Sequence, residues 1–395
     1  MRCFDPFSPQ VRVNPYPHYQ QLRQADPVHW CAANAWFVTR YTDAKTLLQD
    51  ARLTHWRREN VCLNKANYDS AFEYYSSRWL TCFTPDAVLP LKSIIVSLLG
   101  SNALNTIAIE SQSLANQLCQ THLSAKRLDV IADFAEPLTL SVVCQILGIL
   151  PQVRPHFLDV VRGLKGSLFE AISSGPRHNP SGQSFAVLID ELIGQGKIST
   201  DGLLHQLQQM SLTHPEMTTA DIIPFTLFFI FAGYENMMNF MGNALLALLC
   251  YPDEWADLAK QPEKIDQAIP ELLRYDSPIQ MIRLTAQVEI DIHNQVIKSG
   301  EDVLVAVGAA NRDPDQFFQP DQLDISRRNV AHLSFGSGAL RCMGAKLAHL
   351  EAKIAITTLT QVFKHINFAT KTLQWRQRPE VLRGLRSLPI TFEPY

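Results

Sequence analysis

The sequence predicts a mainly α protein with a small β region, and three observations carry that prediction. Residues from about 86 to 260 place their apolar side chains mostly at helical spacing. Short runs rich in Val, Ile and aromatic residues gather instead near 25–45 and 280–310. No internal repeat, low-complexity tract or long Pro/Ser-rich linker interrupts the 395 residues, so one domain, 1–395, is expected.

Taken in order, Val28-His29-Trp30 and Trp36-Phe37-Val38-Thr39 predict two short strands around a turn. The helical lobe covers about 86–275. Within it, Arg154 to Gly182 contains Gly175-Pro176 and Asn179-Pro180, which predict a helix interrupted by loops. Asp221 to Cys250 is long and apolar enough to suit a bilayer. Glu235, Asn236, Asn239 and Asn243 interrupt it, and a mid-span Glu is costly in lipid, so a long buried helix is expected. Pro262 to Arg274 predicts a further helix, broken before Pro270. Ile282 to Ile290 and Asp302 to Val305 read as strands, and Asn311 to Arg328 as a loop. A last helix is expected over 343–364. The segment 380–395, with Arg383-Gly384-Leu385 and Leu388-Pro389-Ile390, predicts a hairpin.

Hydrophobic residues make up 46% and charged residues 18%, which supports a packed core and argues against disorder. The formal net charge of −3 gives no basic excess for nucleic acid. Met1-Arg2-Cys3-Phe4-Asp5-Pro6 has no apolar run behind it, so no targeting segment is expected, and the cytoplasm is the expected compartment. Eight cysteines lie at 3, 31, 62, 82, 119, 144, 250 and 342 without a C-x-x-C pair, which leaves a zinc or dithiol site unsupported.

Cys342 differs from the others in its neighbours. It sits in Phe335-Gly336-Ser337-Gly338-Ala339-Leu340-Arg341-Cys342-Met343-Gly344, and a predicted helix follows. Glycine permits tight turns and close approach of a flat ligand. A helix N-terminus favours the thiolate. A thiolate held this way suits the proximal ligand of a haem iron. From this composition, F-G-x-G-x-x-x-C-x-G arises by chance roughly 3 times in 100,000 such chains.

This loop resembles the haem-binding loop of the cytochrome P-450 family, and the resemblance extends over nearly the whole chain. Glu271-Leu272-Leu273-Arg274 is similar to the family's E-x-x-R helix. Asp324-Ile325-Ser326-Arg327 resembles the stretch whose Arg completes a Glu-Arg-Arg cluster. Ala310-Asn311-Arg312-Asp313-Pro314, Asn14-Pro15-Tyr16, Leu22-Arg23 and Arg383-Gly384 match further family segments. The resemblance implies the cytochrome P-450 fold and haem b ligated by Cys342, framed by Phe335, Gly336, Gly338 and Gly344. It gives Glu271, Arg274 and Arg327 a structural role, and places Phe228, Phe231, Ala232 and Ile279 in the substrate pocket.

Two departures stand out. In Ala232-Gly233-Tyr234-Glu235-Asn236-Met237 the family usually has an acid followed by a Thr that organises water for proton delivery. Asn236 replaces that Thr, and an amide lacks a rotatable hydroxyl proton. Gly233, Glu235 and Asn236 are therefore the catalytic candidates. Second, Leu340 stands where the family usually places a His or Arg for a haem propionate. Arg283 and His332 match other family positions for that contact. An alignment of Val88 and Lys92 with a family His and Arg adds Lys92.

The resemblance implies a monooxygenase for an apolar or aromatic small molecule, consistent with secondary metabolism. It would use O2 and electrons from a separate ferredoxin and reductase. Docking is expected near Arg341 and Lys346, without nucleic acid or membrane. Radical coupling or rearrangement without oxygen insertion is the rival outcome, and a non-catalytic haem-binding scaffold the rival of another class. Turnover with a surrogate ferredoxin separates the scaffold, and heavy-oxygen labelling separates insertion from coupling.

Overall fold

The computed structural model describes residues 4–54, 94–173, 181–213, 221–338, 341–376 and 381–395, without the side chains of 101–102 and 165–182. The chain forms two compact units. One comprises residues Met1–Trp56, Leu114–Ala135 and Asn236–Tyr395, the other Arg57–Ser113 and Glu136–Glu235.

The first unit holds the β structure. Strands β1 (Val28–Cys31), β2 (Ala35–Val38) and β3 (Leu53–Thr54) join β5 (Ile282–Ala286) and β8 (Asp302–Val305) in a sheet of order β1-β2-β8-β5-β3. The pleat sends successive side chains to opposite faces. Phe37 and Leu304 accordingly join Tyr19 and Leu22 of the Tyr16–Ala25 helix. Val38, Leu284, Val303 and Val305 pack on the other side with Ala44 and Leu48 of the Tyr41–Gln49 helix. Each such buried aliphatic side chain contributes about 1.5–3 kcal/mol. Two-sided burial is why β8 reads as an apolar run and not as an alternation.

The C-terminal segment departs from expectation. β11 (Leu385–Ser387) pairs with β10 (Gln374–Trp375), whereas β12 (Pro389–Pro394) pairs with β4 (Arg127–Asp129) and β9 (Phe363–Phe368). The expected 380–395 hairpin does not form. Only Leu388 separates β11 from β12, and a hairpin needs at least a two-residue turn. A small ribbon, β6 (Ile290–Ile292) with β7 (Gln295–Ile297), completes the strands.

Three helices of this unit bear on the site. Asn236–Cys250 is buried along most of its length. Its Asn243 amide donates to the carbonyls of Arg383 (3.1 Å) and Asp276 (3.4 Å). Asn239 lies so close to Gly384 that any Cβ there would collide with the amide, which explains the glycine. Ile265–Tyr275 runs unbroken through Pro270, preceded by a short 3-10 turn at Pro262–Lys264. The expected break is absent: Pro270 costs the helix one bond, to the carbonyl of Asp266, and the chain continues helically past it to Tyr275. Ala345–Val362 is the last helix; the chain then extends into β9, so the expected end near 364 comes early.

The second unit is helical, with Glu136–Leu147, Arg154–Ser173, Ser181–Gly194, Leu203–Thr213 and Ile222–Ile230. Gly148, at φ +77°, and Gly202 let two backbones touch, and Ser199 N–H donates to Gly148 C=O at 2.7 Å. Among the described residues, the helical stretch Val130–Leu147 is long and apolar enough to cross a membrane, and 67% of it is buried inside the protein.

Candidate functional site

The Cys342 loop is shaped by its glycines. Gly336 and Gly338 take φ +70° and +61°, values that L side chains rarely adopt. Gly338 also packs on Gln49, whose amide donates to Ser337 Oγ at 2.9 Å. Cys342 N–H donates back to Phe335 C=O at 2.8 Å and closes the loop. Gly344 then begins the Ala345–Val362 helix. Cys342 as a residue is exposed on one side, while protein atoms of its own loop crowd the sulfur on the other. Among the described residues, a Cβ built on Gly344 would meet only the Cys342 sulfur, at 3.9 Å, so the surface beside it is open there.

The expected stabilisation of the thiolate is only partial. The crowding protein atoms raise the Cys342 thiol above its ordinary range, and the Gly344 N–H and Arg341 charge that oppose this do not outweigh it. Desolvation of the charged form wins over the helix start. A cation opposite the sulfur would reverse that balance.

Two anchors hold the loop. Asn311, fully buried, donates from Nδ2 to Ser334 Oγ (2.9 Å) and accepts Leu333 N–H (2.7 Å). Ser334 Oγ in turn donates to Leu273 C=O at 2.8 Å. Below it lies the charged cluster. Arg274 forks onto Glu271 at 2.7 and 2.8 Å, and Arg327 Nε reaches the same carboxylate at 3.1 Å. Arg274 also donates to the carbonyls of Asn311, Pro320 and Gln322.

His332 and Arg283 occupy different settings. His332 Nδ1 accepts Ser334 N–H at 3.2 Å, which leaves Nε2 to carry the proton of the neutral ring. Burial, helped by Arg341 and Arg274, pushes its pKa down to about 4, so the ring is neutral at pH 7. Arg283 is exposed on β5 and makes one 3.3 Å contact with Asp302.

In the second unit, Phe231–Glu235 forms a π turn that continues the Ile222–Ile230 helix. Such turns widen a helix and recur at functional sites. Gly233 packs against Val143, where a Cβ would stand 3.4 Å from its methyl. Glu235 is buried, while Phe228, Phe231, Ala232 and Gly233 are half-buried. Asn236, which begins the next helix, and Ile279, bridged to Leu382, are half-buried in the first unit.

Comparison with known proteins decides the family. Residues 254–384 match the family described as "Cytochrome P450". The "Biotin biosynthesis cytochrome P450" of Bacillus subtilis (strain 168) is 31% identical over 397 residues, covering 98% of each chain. The chain belongs to the cytochrome P-450 family. The "Polyketide biosynthesis cytochrome P450 PksS" of the same organism is 29% identical, again over 98% of both chains. A solved structure of P450BioI, in complex with an acyl carrier protein bearing hexadec-9Z-enoic acid, superposes with a TM-score of 0.84 at 27% identity. That match covers 97% of this chain and all of the other.

This cytochrome P-450 is thus an oxidoreductase of the monooxygenase type with a haem-thiolate cofactor. Its own residues fit the group. Cys342 is exposed beside an open surface, on a loop that two left-handed glycines and the Asn311–Ser334 pair hold in shape. The structure brings Cys342, Phe335, Gly336, Gly338, Gly344 and His332 into one loop, and gathers Glu271, Arg274 and Arg327 in one cluster. Leu340 and Lys92 lie outside the described residues. The sequence marks Asn311 only as one member of a family-like segment. A polar residue with both amide groups buried gives no periodicity from which its anchoring role could be read.

Proposed function

We propose that this cytochrome P-450 oxidises an apolar or aromatic small molecule, with haem b ligated by Cys342. The observation that carries the reading is the exposed Cys342 at the head of a helix, in a loop closed by its own backbone. When bound, the haem supplies oxygen activation with two electrons from outside the chain.

The chain's residues divide the remaining work. Cys342 supplies the thiolate, and Phe335, Gly336, Gly338 and Gly344 keep the surface beside it flat. His332 offers a neutral Nε2–H donor to one haem propionate, and Arg283 a charge to the other. Glu271, Arg274 and Arg327 serve the fold. Phe228, Phe231, Ala232 and Ile279 line the substrate pocket, which accords with their half-buried state. Gly233 and Glu235 open the helix and hold a proton at its π turn. Asn236 stands in for a hydroxyl and handles protons less well. A separate ferredoxin, itself reduced by a reductase, brings the electrons to the side of Arg341 and Lys346, both exposed. We place the activity in the cytoplasm, within secondary metabolism. The roles that relatives carry in their names, in polyketide and biotin formation, and the acyl carrier complex of one favour an acyl chain as part of the substrate.

Asn236 favours a second outcome, coupling or rearrangement without oxygen insertion. There the substrate's own O–H would furnish the proton, and the amide would orient it.

The first test is the spectrum of the reduced, CO-bound protein. A long-wave band typical of thiolate ligation is expected, and Cys342→His should abolish it; a surviving band removes the ligand assignment. The second is product analysis under labelled O2 for wild type and Asn236→Thr, with peroxide measured alongside. A hydroxylase incorporates label, and Asn236→Thr keeps or raises product per electron pair. Wild-type product free of label establishes the rival.

A further inference from the structure

A cleft of about 380 Å³ opens in the first unit and shares no residue with the Cys342 loop or the Phe231–Asn236 turn. Its volume lies in the range of small-molecule sites. Tyr16, Leu246, Cys250, Tyr275, Arg312 and Asp321 are among its lining residues.

Arg312 is the unusual member. Its side chain is only 9% exposed, and its guanidinium lies between two rings, 3.5 Å from the centre of Tyr16 and 4.0 Å from that of Tyr275. Both faces of the cation are therefore covered, and its edges alone can take a ligand. Nε and Nη2 donate together to Tyr275 C=O at 2.9 and 2.6 Å. Nη1 donates to one oxygen of Asp321 at 3.1 Å. A guanidinium has five N–H groups, and three are used here. One N–H on Nη1 and one on Nη2 have no acceptor among the described residues, and release of Asp321 would open the end fork of Nη1 and Nη2 that suits a carboxylate. Asp321, the carboxylate bonded to Arg312, is 59% exposed and bonds through a single oxygen. It is an interchangeable partner, unlike the Tyr275 carbonyl.

We propose that this cleft is a second small-molecule site, for a carboxylic acid with an apolar body. Its carboxylate forks onto Arg312 in place of Asp321, and its body lies along Leu246 toward Cys250. One negative charge suits the site. Asp276 already balances Arg383 in the same cleft, at 2.9 Å, so Arg312 is the lining cation left for a ligand, and the second charge of a phosphate would go unmatched. The site is built on the last turn of the Asn236–Cys250 helix and the end of the Ile265–Tyr275 helix. Occupancy would thus act on two elements that also carry Asn236 and Arg274.

Cys250 reports on the cleft because it is exposed and lines it. The experiment uses the haem-loaded full chain, iodoacetamide, and peptide mass analysis of Cys250. The probe is 4-phenylbutyrate, with 4-phenylbutanamide as its uncharged counterpart. The acid should slow Cys250 alkylation at least fivefold in a saturable way, and the amide should leave it unchanged. Asp321→Asn, at an exposed position, removes the competing carboxylate and should lower the half-protecting concentration of the acid about tenfold. Equal protection by acid and amide, no protection by either, or an Asp321→Asn variant with unchanged half-protection would each overturn the proposal.

Discussion

Arg274 and Arg283 stand nine positions apart in the same unit, and both match a family position, yet they face opposite physical conditions. Arg274 is fully buried and saturated: a fork onto Glu271 and three backbone carbonyls account for its donors. Arg283 is 46% exposed, with one long contact to an Asp302 carboxylate that Thr285 also holds. The first charge is committed to the fold, because only these partners offset its desolvation. The second is available, because a surface pair of this kind contributes about 0–1 kcal/mol and yields readily to a better anion.

The largest effect follows from the buried member. Arg274→Ala leaves Glu271 with Arg327 and the Asp324 N–H, and strips three carbonyls of their arginine donor. Breaking such a pair costs about 3–5 kcal/mol, a large fraction of a typical domain's stability. Insoluble or haem-free protein is expected on expression. Arg274→Lys should rescue little, since an ammonium cannot reproduce the fork. A soluble Arg274→Ala variant with full haem and a merely altered rate would remove the distinction between the two arginines.

How far each is legible in the sequence follows the same division. The Glu271–Arg274 spacing of three residues puts both side chains on one helix face, so the spacing alone announces the pair. Arg327 joins it through order along the chain. The Cys342 loop is legible because three glycines framing one cysteine is a local signal. What stays hidden depends on partners distant in sequence. Pairing of β12 with β4 brings together residues some 260 positions apart, and no local turn encodes it. The raised thiol of Cys342 reflects crowding by surrounding atoms, which spacing does not reveal. Glu351 is a further case: in sequence it is one more charged residue on a helix, and in the fold it lies in the core.

Glu351 extends the comparison to carboxyls. Glu271 meets two arginines, whereas Glu351 is fully buried with Oε2 unpartnered among the described residues. Burial raises its pKa well above the ordinary value, which favours the neutral carboxyl in the fold. The unfolded chain releases that proton above about pH 4.3. Between there and the folded pKa the native state binds more protons, so stability from this site falls as pH rises. Glu351→Leu should therefore raise stability at pH 7.5 by about 1–3 kcal/mol in urea unfolding, with a smaller gain near pH 4. A loss of stability, or a gain independent of pH, would mean that an internal water or another group satisfies the carboxyl.

The smallest stability effect, and the sharpest functional contrast with Arg274, belongs to Arg283. Arg283→Ala removes a half-exposed pair and leaves Asp302 its bond to Thr285 at 2.7 Å, so unfolding of the haem-free chain should change by no more than about 0.5 kcal/mol. Haem retention should nevertheless suffer. With Leu340 unable to pair with a propionate, the proposed partners are Arg283 and the neutral Nε2–H of His332, and only the arginine carries charge. Transfer of haem to an apo-acceptor protein should accelerate in Arg283→Ala, accelerate less in His332→Ala, and slow in Leu340→His. The unequal ranking matters, because a hydrogen bond to a charged group that brings no charge of its own is the weaker contact. If Arg283→Ala releases haem at the wild-type rate while Leu340→His also leaves it unchanged, propionate binding rests on other residues, and Arg283 reverts to an ordinary surface arginine.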